Sequence, residues 1–278
     1  MKFLSKFYIG LIFLILYAPI LVVILFSFNE SGNLSHFSTF TLNWYIELFD
    51  DNDEALTALK NSLILAVSSS LIATTIGTLA ALGISRAKNR YYRQTLESVA
   101  NIPMMNPDIV TGVSMMLLFV GVGAAIGAKS SLGFWTMLIA HTTFNLPYVI
   151  LQVLPKFRQM DRNLTEAALD LGCTPMQTFF RVELPSIMPG ILSGLMMSFT
   201  LSLDDFVISH FVSSPDFKTL PLYIYTQTAH EVKFSMYALC SIMILAILLL
   251  LIAVNVAGSM GERRARKKAH KALKGGVR

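Results

Sequence analysis

Six apolar stretches set the strongest limit on how this chain of 278 residues can fold. A helix needs roughly 20 apolar residues to cross a hydrocarbon layer of about 30 Å. The stretches lie at approximately 8–28, 61–85, 97–125, 134–154, 186–208 and 237–257. Only 14% of the residues are charged, which is low for a soluble domain. The sequence therefore predicts an all-α polytopic membrane protein with six transmembrane helices in one domain, 1–257.

The basic residues predict the orientation, because Lys and Arg accumulate on the cytoplasmic side of a membrane. With the N-terminus inside, 18 of the 22 basic residues fall in predicted cytoplasmic segments, and the exceptions are Lys60, Lys129, Lys218 and Lys233. Both termini are predicted to be cytoplasmic. The basic tail 258–278 follows the last span directly, a position that suits contact with membrane lipid, with a partner contact as the alternative.

Motifs for nucleotide binding and catalysis are missing from the sequence. The segment "GAKS" that begins at Gly127 is not a phosphate-binding loop, and no soluble domain separates the spans. The five histidines have no metal-ligand spacing, and His141 in the fourth span is interpreted as a hydrogen-bonded packing group. We therefore expect a chain that is not an enzyme and that carries no metal, cofactor or bound nucleic acid.

The longest internal loop on the predicted cytoplasmic side, 155–185, is predicted to form two short helices. Asn163 is predicted to cap the first helix with Glu166 at its third position, and Gly172 is predicted to end it in a left-handed conformation. Helical spacing places three small or apolar residues on one face that suits docking: Leu164, Ala168 and Leu171.

A second helix of this loop is predicted after Thr174, which has Pro175 and Gln177 at the first and third helical positions. This helix is expected to stop at the Leu184–Pro185 pair. The loop has few basic residues and is held between two spans, so a helix-turn-helix that binds DNA is not expected.

The segment "EAALDLGCTPMQTFFRVELP" resembles the EAA loop of binding-protein-dependent ABC importer permeases. Val182 stands where the family pattern has Ile. The segments "MMNPDIVTG", "HTTFNLP", "SFTLSLDDFVIS" and "LPLYIYT" extend the resemblance to the polyamine branch of that family. The matching residues that the resemblance assigns to coupling with an ATPase are Glu166, Ala167, Ala168, Gly172, Leu184 and Pro185.

This resemblance implies a type I ABC importer permease fold in a bacterial inner membrane and a cargo of spermidine or putrescine. It also implies a second permease subunit, two ATP-binding subunits that hold ATP and Mg, and a periplasmic polyamine-binding protein. In that family the loop seats in a cleft of the ATPase and transmits its closure to the membrane helices.

Two adjacent carboxylates in "TLSLDDFVISH" end the fifth span. An ionised Asp costs several kcal/mol in hydrocarbon, so such residues usually face a cavity, a partner or a cation. Gly190, Gly194, Ser198 and Ser202 form a stripe of small residues at four-residue spacing, and Asp205 continues that stripe. Asp204 lies about 100° away around the helix, which favours Asp204 as the residue that lines the path.

Asp108 is a second candidate carboxylate, because Pro103 and Pro107 just before it predict a broken helix in the third span. The alternative is that Asp108 caps the half-helix after Pro107. For Asp204 and Asp205 the alternative is pairing with a basic residue of a partner subunit.

Aromatic rings beside carboxylates suit a polyamine, which carries ammonium groups on an apolar chain. Trp44, Tyr45, Tyr223 and Tyr225 are predicted near the external side, where each is otherwise typical of an interfacial belt. The predicted substrate path comprises Asp204, Asp205, Asp108, Ser202, Trp44 and Tyr223.

Three other functions remain open at this point. An importer of the same class could carry another small cationic or neutral solute. An ion-coupled secondary transporter could use the same aspartates, although the chain has no internal repeat typical of such folds. The third alternative, a structural membrane anchor, would not explain the embedded carboxylates.

Overall fold

A computed structural model of the chain describes residues 2–31, 36–50, 53–127, 132–228, 234–249 and 252, and the described part is helical, with two isolated β-bridges. Five helices are long and apolar enough to cross a membrane, and a shorter apolar helix follows them. The predicted tail 258–278 and the end of the predicted span 237–257 lie outside the described residues. The helices are α1 (Lys2–Phe26), α2 (Asn43–Asp50), α3 (Asp53–Arg86), α4 (Arg90–Met105), α5 (Asp108–Ala125), α6 (Phe134–Gln159), α7 (Arg162–Asp170), α8 (Pro175–Thr178), α9 (Leu184–Asp204), α10 (Val207–Val212), α11 (Leu220–Thr228) and α12 (Phe234–Leu249).

The apolar stretch 97–125 forms two helices rather than one. Helix α4 ends at Met105 and α5 begins at Asp108, directly after Pro107. Asn106 is extended, with φ −83° and ψ 135°, which is the conformation that a following proline favours. The predicted break in the third span is therefore present, and Asp108 occupies the first turn of α5, whose N-cap residue is Pro107.

The apolar stretch 186–208 is also interrupted. Helix α9 ends at Asp204, Asp205 is extended with ψ 119°, and the short helix α10 begins at Val207. The sequence did not predict this second break, because the segment contains neither Gly nor Pro between Leu201 and Val207.

The loop before α9 begins with α7, whose N-cap is Asp161 rather than the predicted Asn163. The Asp161 carboxylate accepts a bond from the Asn163 backbone N–H at 3.0 Å, so Asn163 lies inside the helix. Gly172 ends α7 as predicted, with φ +84°. Its N–H donates to the Leu169 carbonyl and the Cys173 N–H donates to the Ala168 carbonyl, which together form a Schellman motif.

Helix α8 has the predicted capping box between Thr174 and Gln177, with Pro175 in the first turn. The predicted stop at Leu184–Pro185 is wrong. A π-helical turn over Phe179–Glu183 joins α8 to α9 without a break, and the Leu184 N–H donates to the Phe179 carbonyl. The wider turn gives room for the proline ring, which would otherwise clash with a carbonyl one turn earlier.

Two compact units divide the chain, Thr57–Thr226 and Met1–Leu56 with Gln227–Arg278. In the unit Thr57–Thr226, α6 and α9 pack closely through the predicted stripe of small residues. A Cβ on Gly190 would lie 2.9 Å from the Gln152 carbonyl oxygen, and one on Gly194 would lie 3.3 Å from Val149 Cγ1. A Cβ at Gly190 would clash with the backbone of α6, and one at Gly194 would make a tight contact with it, so the small residues permit this close approach between the two helices.

Candidate functional site

The break between α9 and α10 separates the two predicted aspartates. Asp204 is exposed at the end of α9 and forms no salt bridge with any described residue. The Asp205 side chain is only 8% exposed. Its carboxylate accepts bonds from the backbone N–H groups of Ile208 at 3.3 Å and Ser209 at 2.8 Å, and so it caps α10.

Four helices meet in a buried polar network beside this break. His141 of α6 is 1% exposed, and its Nδ1 lies 2.7 Å from Ser202 Oγ of α9. Its Nε2 lies 3.2 Å from Ser209 Oγ and 3.5 Å from Asp205 Oδ2. Ser202 Oγ also lies 2.9 Å from Ser69 Oγ of α3. Ser202, predicted to line the path, is therefore buried and bonded to other helices.

Asp108 lies at the start of α5, and α5 packs against α10. A Cβ on Gly112, one turn after Asp108, would lie 2.8 Å from the Phe211 ring and 3.5 Å from Ile208 Cα. The helices that follow the two breaks are therefore neighbours. The Asp108 side chain is exposed.

Aromatic rings lie beside the break. The Phe206 ring stands 4.5 Å from the Tyr225 ring, and Tyr225 is 53% exposed. The predicted path residue Tyr223 is 3% exposed, so its neighbour Tyr225 presents the accessible aromatic face of this pair.

Trp44 belongs to the other compact unit, where its side chain is half-buried. The indole N–H donates to the Asn29 carbonyl at 2.8 Å, and the indole ring stands 5.5 Å from the Phe234 ring. These contacts hold the indole in place, and the hydrogen bond gives it a fixed orientation.

The predicted coupling loop is largely solvent-exposed. Glu166, Ala167 and Pro185 are exposed, Leu184 is half-buried, and Ala168 is buried. Gly172 has open space around the position of a Cβ. Large apolar side chains also project from the loop, including Leu164 at 50%, Leu171 at 86%, Met176 at 69% and Phe180 at 55% exposure. Such a surface is typical of a docking site.

An ion pair joins this loop to the end of α3. Arg86 donates to the Glu183 carboxylate at 2.8 Å, and the Glu183 side chain is 5% exposed. Both residues line a cavity of about 580 Å³ together with Glu166. Arg158 of α6 pairs with Glu97 of α4 nearby, so salt bridges connect the helices around the loop.

Sequence reasoning missed the roles of His141, Ser69 and the Arg86–Glu183 pair. Arg86 was predicted only as a cytoplasmic residue, and its pairing with Glu183 was not predicted. The Glu183 carboxylate in the π-helical turn is buried and therefore needs a cationic partner. His141 was predicted to be hydrogen-bonded, but its partners were not predicted because they lie 61 and 68 residues away. No group of three or more potential metal ligands occurs among the residues the structure describes.

Long apolar helices, two broken spans and a helical loop of the EAA type together define the membrane component of an importer. The chain belongs to the family described as "Binding-protein-dependent transport system inner membrane component", whose pattern matches residues 54–267. This membership confirms the predicted family and inner-membrane location.

Two Escherichia coli K12 proteins are similar along most of the chain. "Putrescine transport system permease protein PotI" is 37% identical over 235 residues, which covers 84% of this chain and 83% of PotI. "Spermidine/putrescine transport system permease protein PotC" is 37% identical over 242 residues, covering 87% of this chain and 89% of PotC. The predicted resemblance to the polyamine branch is therefore confirmed.

A solved structure of similar fold is a bacterial alginate ABC transporter in complex with an alginate pentasaccharide-bound periplasmic protein. The TM-score is 0.72, the identity is 18%, and the match covers 94% of each chain. This likeness confirms the predicted all-α importer-permease fold.

Proposed function

We propose that this chain is one permease subunit of an ATP-driven importer that carries spermidine or putrescine across the inner membrane. The observation that carries this proposal is the identity of 37% to two permeases named for putrescine and for spermidine/putrescine transport. The embedded carboxylates support a cationic cargo, because a bare ammonium group in a partly dry passage needs a negative partner.

Asp204 is the residue proposed to receive the ammonium group. It is exposed at the end of α9, and no described residue neutralises it through a salt bridge. The Phe206 and Tyr225 rings beside the break supply apolar and π-electron surface for the methylene chain and its ammonium groups. A carboxylate and rings at one place match the alternating charge and hydrocarbon of a polyamine.

Asp108 is proposed as a second anionic contact, because α5 and α10 are neighbours just beyond their breaks. Trp44 is proposed as a further aromatic contact in its own unit. Asp205 and Ser202 are assigned a supporting role, since both side chains are buried and bonded to other helices.

The loop that contains α7 and α8 is proposed to seat on an ATP-binding subunit. Its exposed apolar residues offer the contact surface, and the Arg86–Glu183 pair would pass movement of the loop to α3. In this proposal ATP and Mg bind in two partner ATPase subunits, a second permease completes the path, and a periplasmic polyamine-binding protein delivers the cargo.

The test is transport by the whole complex reconstituted in proteoliposomes. Uptake of radiolabelled spermidine or putrescine should require ATP on the ATPase side and the loaded binding protein, and it should persist after ionophores collapse all ion gradients. Uptake driven by an ion gradient without ATP would instead support a secondary transporter. ATP-dependent uptake of another solute, with none of either polyamine, would refute the cargo.

A further inference from the structure

The structure assigns a positioning role to His141, namely fixing the break between α9 and α10 so that the Asp204 carboxylate is held in the path. This inference rests on the role proposed above for Asp204. Neither the family pattern nor the names of the relatives assign any role to this histidine.

The break between α9 and α10 leaves backbone groups that need new hydrogen-bond partners. Interrupting a helix leaves carbonyl groups before the break and N–H groups after it without their helical partners. In an apolar span such groups are costly unless the protein supplies new partners. Asp205 bonds two of the N–H groups after the break, those of Ile208 and Ser209.

A buried carboxylate then needs a partner itself, and His141 is the one that the structure places beside it. Nε2 of His141 lies 3.5 Å from Asp205 Oδ2 and 3.2 Å from Ser209 Oγ. An ionised carboxylate only accepts hydrogen bonds, so the ring nitrogen that faces it carries a proton. In the neutral ring Nδ1 then accepts the bond from the Ser202 hydroxyl.

His141 contacts both sides of the break, which distinguishes it from an ordinary packing residue. Ser202 precedes the break, whereas Asp205 and Ser209 follow it. Ser202 is in turn bonded to Ser69 on α3. The histidine therefore sets the spacing between the end of α9 and the start of α10, and Asp204 lies between these two anchored points.

Substitutions of His141 can test the contacts of its two ring nitrogens separately. Gln places an amide donor near the position of Nε2 and keeps the contact with Asp205 and Ser209, whereas Asn reaches only the position of Nδ1 and Ser202. Leu keeps much of the volume and loses both contacts. A positioning role through Asp205 predicts that Gln preserves function better than Asn, and that Leu is the most damaging.

The matched control is Asn145→Leu. Asn145 is fully buried on the same helix, one turn after His141, and neither its side-chain oxygen nor its nitrogen has a hydrogen-bond partner among the described residues. It therefore tests a change from polar to apolar at similar burial without loss of an observed bond.

The first measurement is independent of the cargo. In the full complex with Cys173→Ser and Cys240→Ser, Asp204→Cys is labelled with a water-soluble maleimide. We expect the labelling rate to change about tenfold with His141→Leu, because the hydrogen bonds of the ring to Ser202 and Ser209 are lost together. It should return toward the original rate with His141→Gln and stay constant with Asn145→Leu. Equal rates for His141 and His141→Leu, or an equal change with Asn145→Leu, would overturn the inference.

The second measurement is polyamine uptake with the amount of assembled complex quantified. His141→Leu should raise KM about tenfold, with His141→Gln closer to the original value than His141→Asn. An unchanged KM alongside reduced assembly would reduce His141 to a folding role. If the original complex carries no polyamine, the proposed function fails, whereas the labelling experiment still decides the role of His141.

Discussion

Gly172→Val is expected to uncouple transport from ATP hydrolysis because Gly172 adopts a left-handed conformation that other residues resist. Its φ is +84°, and a Cβ at this position would meet nothing within 4 Å. The penalty is therefore one of backbone strain rather than of collision. It amounts to about 1–2 kcal/mol for a residue with a Cβ and is highest for a β-branched side chain.

This strain competes with the two backbone bonds of the Schellman motif, from Gly172 to Leu169 and from Cys173 to Ala168. Each is worth about 0.5–1.5 kcal/mol net, so the strain is large enough to open the turn in a substantial fraction of molecules. A cost of one to two kcal/mol changes the ratio of the closed to the open turn by a factor of about 5 to 30. Thr174 and the start of α8 would then lose their present position relative to α7.

The assay is polyamine-stimulated ATPase activity and uptake per assembled complex, for Gly172 replaced by Asn, Ala and Val. Asn tolerates left-handed backbone best, so coupling should fall in the order Gly, Asn, Ala, Val. Gly121→Val is the control, since a Cβ there also meets nothing within 4 Å and its φ is not positive. Normal coupling by Gly172→Val, or equal loss with Gly121→Val, would refute the argument.

Three further changes test other parts of the structure. Gly190→Ala would place a methyl group 2.9 Å from the Gln152 backbone carbonyl oxygen, which cannot rotate away, so α6 and α9 must separate at a cost of about 1–3 kcal/mol. Less complex should withstand heating in detergent, and unchanged heat resistance would contradict the packing. Trp44→Phe should retain more uptake than Trp44→Ala, because an aromatic face over an ammonium contributes about 0.5–2 kcal/mol. Equal losses of uptake would indicate that Trp44 acts through packing and not through contact with the ammonium group. Glu183→Gln should lower polyamine-stimulated ATPase activity. Arg86→Gln should add little to this loss in the double variant, because each change breaks the same ion pair. Fully additive losses would show that the two residues act independently.

Local rules were sufficient for parts of the coupling loop. The capping box of Thr174 and the left-handed Gly172 follow from residue types at fixed spacing. The sequence does not distinguish Asn163 from Asp161, the N-cap in the structure, because both side chains can cap and they lie close together. The stop at Leu184–Pro185 failed because the π-helical turn that accommodates the proline is also held by tertiary contacts, among them the pairing of Glu183 with Arg86.

The candidate site shows the same division between local and tertiary causes. Helical phase alone separated Asp204 from the stripe of Gly190, Gly194 and Ser202. The break after Asp204 was not predicted, since the Asp205 carboxylate that caps α10 is itself contacted by His141 from another helix. The break after Met105 was predictable because Pro107 imposes it through its own covalent geometry.

Uptake by Asp204→Asn tests the central claim most directly, because this change keeps the shape of the side chain and removes its charge. Radiolabelled polyamine uptake is measured alongside the amount of assembled complex, with Asp216→Asn as a control at another exposed aspartate. Loss of a bond between the carboxylate and an ammonium group corresponds to about 1.5–3 kcal/mol, so uptake per complex should fall about tenfold or more. Asp216→Asn should leave uptake unchanged. Normal uptake by Asp204→Asn, or a loss explained entirely by reduced assembly, would contradict a polyamine path past this carboxylate.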